Sequence, residues 1–170
     1  MAGAALTLTT TQLGRDEVGA AHAIVAACGI ALAKAGLPNW VPPYPLERMQ
    51  AEATSRQVYL VRDADGPVAT FTIGLAPLRP YPPQIFDPTV RALYLNRLAV
   101  VPERWGGGLG AALMGDVEAR ARAAGAAAVR FDAFRDNAPL RRFYRRLGYL
   151  ERAPFAIGEI PVICFEKVLP

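Results

Sequence analysis

The chain has 170 residues, 52% of them apolar and 20% charged, proportions that exclude a disordered tail and an extended coiled coil and suit one folded domain. Nineteen basic against fifteen acidic residues leave a formal charge of +4, too mild to imply a nucleic-acid partner but compatible with an anionic small molecule. Cys28, Cys164 and the single histidine, His22, share no metal or redox spacing, so no metal is expected and a reducing cytoplasm is the default compartment.

Met1 to Leu13 has no basic n-region and no cleavage pattern, so no signal peptide is expected. Within it, Leu6 to Thr10 alternates apolar residues with threonines and predicts a strand. Asp16 is a candidate cap for a helix burying Val18, Ala21, Val25, Cys28 and Leu32 and ended by Gly36. Its apolar run, Val18 to Ala33, falls short of the ~20 residues that span a membrane and contains His22. No membrane partner is therefore expected.

Ten of the fifteen prolines fall between Pro38 and Pro88, nine of them in the segments Pro38–Pro45 and Pro77–Pro88. Neither segment can be a helix interior or a central strand, so both are expected as rim loops that shape a binding site. Between them, Leu46 to Ala53 predicts a short helix. Gln57–Arg62 and Val68–Leu75 predict strands joined at the turn signal Asp63-Ala64-Asp65-Gly66. Then come a strand over Ala92–Val101, a glycine run, and a helix to Ala124 closed by Gly125. A strand over Ala128–Phe134, a helix over Ala138–Leu147 opened by Pro139 and closed by Gly148, and a strand over Val162–Val168 complete the chain. An antiparallel start followed by one β-α-β-α-β stretch implies an α/β fold with a mixed sheet.

The informative stretch runs from Leu95 through Leu98-Ala99-Val100-Val101-Pro102-Glu103-Arg104-Trp105 to Gly106-Gly107-Gly108-Leu109-Gly110. A strand runs into a proline, and glycines then open a helix whose core face is Leu109, Leu113, Met114, Val117 and Ala121. Free amides of a first helical turn, aligned with the helix dipole and unobstructed by Cβ atoms, bind phosphate. A flexible connector is the plain alternative. Gly106, Gly108 and Ala111 also satisfy Gly-x-Gly-x-x-Ala, and Asp132 ends the next strand, so a dinucleotide-binding domain is a rival. Against it stand the missing repeated βαβ units.

Tyr94 to Tyr149 resembles the GNAT superfamily of N-acetyltransferases. The first matching block is Leu98-Ala99-Val100, Pro102 and Trp105-Gly106-Gly107-Gly108-Leu109-Gly110; the second is Asn137, Phe143-Tyr144 and Leu147-Gly148-Tyr149. The family usually has Arg or Gln where this chain has Trp105. The resemblance implies a mixed, mostly antiparallel sheet flanked by about four helices, in one domain spanning residues 1–170. Residues 1–90 would form the acceptor side and 91–170 the acetyl-CoA side. It implies that the backbone of Leu98, Ala99 and Val100 pairs with the pantetheine arm, that the Leu98 N–H polarises the acetyl carbonyl, and that Gly106 to Gly110 hold pyrophosphate. Arg104 would stand in for the charge missing at Trp105. Asn137 would hydrogen-bond the arm, and Tyr144 would protonate the departing sulfur. By periodicity alone Tyr144 belongs to an apolar stripe with Leu140, Phe143 and Leu147.

The general base is left open among Glu103, Asp87 and Glu159, with Asp132 read as a structural acid and His22 as a packing or capping residue. Trp40, Tyr44, Tyr81 and Phe86 are candidate acceptor-binding residues, with loop anchoring the equal alternative. The function expected is acetyl transfer from acetyl-CoA to an amine of a small molecule or a protein N-terminus, in a ternary complex and by a monomer or homodimer. A non-catalytic acyl-CoA-binding member is the other reading. Residues 1–90 carry six basic and seven acidic residues, net −1, and residues 91–170 thirteen and eight, net +5. The whole excess lies where a phosphate-bearing coenzyme would sit.

Overall fold

Val58 and Leu60 face one side of the strand Gln57–Asp63, Tyr59 and Val61 the other, and all four are buried. A strand buried on both faces lies between two layers. In the computed structural model, which describes residues 7–170, that strand belongs to a seven-stranded sheet with helices on both faces. The elements are β1 (Thr9–Leu13), α1 (Gly19–Lys34), α2 (Leu46–Glu52), β2 (Gln57–Asp63), β3 (Gly66–Gly74), β4 (Ala92–Val100), α3 (Leu109–Ala123), β5 (Ala128–Phe134), α4 (Ala138–Arg146), β6 (Leu150–Ile157) and β7 (Ile160–Val168). The strand order is β1-β2-β3-β4-β5-β7-β6. Every neighbouring pair is antiparallel except β4 and β5, which the α3 crossover makes parallel. The fold is the expected mixed, mostly antiparallel sheet with four helices.

Ala21, Ile24, Val25 and Cys28 of α1 and Met49 of α2 pack on Val58, Leu60 and Ala99. On the opposite face, Leu109, Leu113, Met114, Val117 and Ala121 of α3, with Tyr144 of α4, pack on Phe71, Leu93, Leu95, Val129 and Phe131. The five α3 residues are those that its periodicity singled out.

Three expectations shift. The first strand is Thr9–Leu13 rather than Leu6–Thr10; Leu6 lies outside the described residues. Asp16 does not cap α1 but sits in a 3-10 turn over Arg15–Glu17. Leu150–Ile157, unassigned by the sequence reading, is β6, an edge strand paired only with β7. Its Pro154 costs no central ladder bond there, which is why a proline is tolerated. Among the described residues, no helix is long and apolar enough to cross a membrane.

Candidate active site

The sheet is torn open at its one parallel joint. β4 and β5 pair only at Ala92, Leu93 and Tyr94, opposite Ala128, Val129 and Arg130. Beyond that point both strands continue, to Val100 and Phe134, without pairing. A bulge in β4 drives them apart. Thr70 pairs with Ala99 and Thr72 with Asn96, so Arg97 and Leu98 together oppose Phe71. Arg97 takes up the extra residue with φ +50°, a conformation that is uncommon for a non-glycine residue. Val101 N–H donates to Val68 on β3, so by strand alternation the N–H and C=O of Val100 point away from β3, into the gap.

The gap is the middle of a cleft of about 1160 Å³. Its centre is lined by Leu95 to Val100 on one side and Phe131 to Phe134 on the other. At one end is the glycine turn. Gly106 and Gly108 have φ +78° and +81°, the left-handed region where a Cβ is costly. The amides of Gly106, Gly108, Leu109, Gly110 and Ala111 donate to no acceptor among the described residues. They crown the N-terminus of α3 and are free for an anion.

The cleft brings together most of the residues singled out from sequence. Leu98, Ala99, Val100, Arg104, Trp105, Gly106, Gly108, Leu109, Gly110, Asn137 and Tyr144 all line it, as do Trp40 and Tyr44. Gly107 lines an adjoining recess with Glu103 and Leu109 instead. Arg104 does not carry free charge: its guanidinium binds Asp63 at 2.7 Å and Asp65 at 2.8 Å, tethering the glycine turn to the β2–β3 turn. Asn137 caps α4, its Oδ1 accepting from the Leu140 N–H at 3.1 Å, which leaves its Nδ2 to donate. Trp105 donates its indole N–H to the Val100 carbonyl at 2.7 Å.

Tyr144 serves as core and as lining at once. Its ring packs on Phe131, Phe143 and Phe165, and burial holds its phenol well above the usual tyrosine range, so the hydroxyl stays protonated.

Tyr81 and Phe86 do not line the cleft. Tyr81 packs on Phe86, Tyr94 and Phe155, and Phe86 is buried 4.8 Å from the Arg130 guanidinium. They anchor the second proline-rich loop to the sheet. His22 likewise ties α1 to the first loop through the Tyr44 carbonyl at 2.6 Å. None of Glu103, Asp87 and Glu159 lines the cleft, and Asp87 caps its own turn through Thr89.

The carboxylate that does line the cleft is Asp132, read from sequence as structural. It accepts hydrogen bonds from the Tyr81 hydroxyl and from Arg79 at 3.4 Å. Against it, Arg48, Arg79, Arg97, Arg104 and Arg146 also line the cleft. Sequence reasoning passed over Arg48, Arg79 and Arg97, because nothing in their local pattern sets them apart from surface arginines.

Between α2 and β4 lies a buried ionic cluster. Arg97 pairs with Glu52, which also accepts from the Tyr44 hydroxyl. Arg56 donates to the carbonyls of Ala76 at 2.5 Å and Tyr94 at 3.0 Å, and to Asn96 Oδ1 at 2.5 Å. Burial pushes its guanidinium below the ordinary arginine value, with Glu52 opposing the shift.

The model of the acetyltransferase (GNAT) family matches residues 31–149. No curated protein matches the chain. Among solved structures, a GNAT-family protein from Desulfovibrio desulfuricans is 18% identical, with a TM-score of 0.70 over 95% of this chain and 99% of that one. The ribosomal-protein-S18-alanine N-acetyltransferase from Escherichia coli is 17% identical, with a TM-score of 0.68 over 94% and 92%. An N-acetyltransferase from Staphylococcus aureus is 12% identical, with a TM-score of 0.66 over 95% and 98%. At these identities the structures share the fold.

Proposed function

Because the chain belongs to the GNAT family of acetyltransferases, we propose that it transfers an acetyl group from acetyl-CoA to a primary amine, directly and within a ternary complex. The observation that carries this reading is the unpaired edge of β4 facing β5 in a cleft that ends at the glycine turn. An open strand edge accepts an extended, amide-bearing arm as an added strand. Free amides at the N-terminus of α3 suit the pyrophosphate that follows such an arm.

Each step of the chemistry then falls to a residue of the cleft. The Leu98 N–H, released from β3 by the bulge, is available to polarise the thioester carbonyl as negative charge develops on its oxygen. Asn137 Nδ2 donates to the arm. Asp132, on the β5 side, takes the proton that the amine loses as the C–N bond forms. Tyr144 gives its hydroxyl proton to the sulfur as the C–S bond breaks. A phenol held protonated by burial keeps that proton until a thiolate forms beside it.

The test is acetyl-CoA-dependent thiol release across a broad panel of amines, with labelled acetyl-CoA binding measured separately. Tyr144→Phe is expected to lower kcat by ~10²- to 10⁴-fold, the usual worth of a general acid, with acetyl-CoA affinity changed far less. Unchanged turnover with chemistry rate-limiting would remove Tyr144 from the acid role. Acetyl-CoA binding with no amine consumed would instead identify a non-catalytic acyl-CoA-binding protein.

A further inference from the structure

Arg97 is 8% exposed, yet its guanidinium is only partly satisfied. One nitrogen pairs with Glu52, while Nε is buried with no hydrogen-bond partner among the described residues. Buried polar groups are nearly always paired, so the orphaned Nε atoms of Arg97 and Arg56 mark an under-compensated cluster, and of the two Arg97 lines the cleft, where a ligand can reach its guanidinium. Arg56 makes the shortfall larger. It is also buried, binds only carbonyls and an amide oxygen, and so leaves Glu52 as the one carboxylate for two buried guanidiniums. An uncompensated buried charge is costly unless an opposite charge arrives.

The same wall carries Arg48, exposed, lining the cleft and in no ion pair among the described residues. The guanidiniums of Arg97 and Arg48 lie 4.5 and 5.5 Å from the centre of the Tyr44 ring. Two guanidinium forks that line the cleft thus lie against one aromatic ring. The cleft's only lining carboxylate among the described residues, Asp132, is already engaged by Tyr81 and Arg79. Such a wall repels an acceptor with several positive charges and attracts one that brings its own anion.

We propose that the amine acceptor carries a carboxylate, held by the guanidiniums of Arg97 and Arg48 beside Tyr44; this rests on the acyl-transfer reading and narrows its acceptor to amino acids and amino-acid-like amines. A guanidinium fork matches a carboxylate with two parallel hydrogen bonds. Trp40, Leu37, Pro42 and Pro43 line the same cleft and would hold an apolar body. The positive surroundings also lower the proton affinity of the acceptor's ammonium, which helps deliver a neutral nucleophile.

The experiment uses the full chain and follows thiol release from acetyl-CoA with each of the common L-amino acids, its amide, and the amine lacking the carboxylate. Spermidine serves as a polycationic competitor. At least one amino acid is expected to exceed its own amide in kcat/KM by ~10-fold or more, as loss of a charge-assisted hydrogen bond predicts. Arg48→Gln should shrink that ratio by ~5-fold or more, mainly through KM. Arg97→Lys, which keeps the charge beside Glu52 but loses the fork, should shrink it as well. Amides or spermidine consumed as fast as the acids would overturn the proposal while leaving acyl transfer intact. So would acetyl-CoA binding with no carboxylate-bearing amine consumed. Failure to bind labelled acetyl-CoA would overturn the acyl-transfer reading itself.

Discussion

The Val100 carbonyl already accepts two hydrogen bonds, from the Cys28 thiol at 2.9 Å and from the Trp105 indole at 2.7 Å. A carbonyl oxygen has two lone pairs, so an arm adding to this strand edge must displace one donor. Cys28 is 2% exposed within α1, whereas Trp105 is 47% exposed, so the indole is the one that yields. Trp105→Phe is therefore expected to tighten acetyl-CoA binding by ~2- to 10-fold, the net worth of one hydrogen bond, in an equilibrium titration. Weaker binding would show that the indole holds the coenzyme rather than competing with it. Cys28 raises a separate question, because a thiol lining the cleft is a potential acyl carrier. Burial, reinforced by Glu103, pushes it up to about 11, so near pH 8 only about one thiol in a thousand is ionised. Initial-rate plots should accordingly intersect, and Cys28→Ala should keep kcat within ~3-fold; parallel lines with loss of turnover would replace direct transfer by an acyl-enzyme. Neither contact of Val100 was legible in the sequence. The departure at Trp105 stood out, but its partner is set by the course of the turn, which composition does not encode.

Elements with strong local signals were legible in the chain, and those defined by long-range pairing were not. The strand, glycine run and helix from Ala92 to Ala123 emerge close to their predicted bounds, because periodicity and glycine act locally. The same spans gave no sign that β4 and β5 part after Tyr94, since the bulge at Arg97 and Leu98 arises from how β4 meets β3. The two proline-rich loops show the same limit. Composition placed both at a rim, yet residues 38–45 largely line the cleft while Tyr81 and Phe86 fold down onto the sheet. The glycine turn permits a test in which strain and charge separate. Gly108 sits at φ +81° with open space around a notional Cβ, so Gly108→Ala adds only backbone strain, about 1 kcal/mol. Gly108→Asp adds the same strain plus a negative charge beside the free amides of α3. Thermal melts should place the aspartate at or slightly above the alanine, because a carboxylate at the N-terminus of α3 is favourable, while acetyl-CoA affinity should fall at least ~10-fold further for the aspartate. Equal affinities would place the phosphates elsewhere.

For the whole molecule, the lopsided charge acquires a structural meaning. The surplus in residues 91–170 was expected to lie where a coenzyme binds, with Arg104 as its nearest bearer. In the fold, Arg104 is neutralised by Asp63 and Asp65 from the other half of the chain. Arg141 is similarly engaged by Glu151 at 2.8 Å. Arg146 differs: it is exposed, lines the cleft near Leu147 and Tyr144, and is in no ion pair among the described residues. Among the cations of residues 91–170 that line the cleft, the long-range attraction for a polyanionic coenzyme should therefore rest largely on Arg146, acting with the dipole of α3. Exposed charges are screened within about 8 Å at physiological ionic strength, so acetyl-CoA affinity should fall several-fold as sodium chloride rises from ~0.05 to ~0.5 M. Arg146→Ala should weaken binding at low salt and flatten that dependence. Arg135→Ala, which removes an equal charge paired with Asp136 and outside the cleft lining, should leave the slope nearly intact. Equal slopes for the two variants would assign the attraction to net charge rather than to a placed guanidinium, and a salt-independent affinity would assign it to the backbone amides alone.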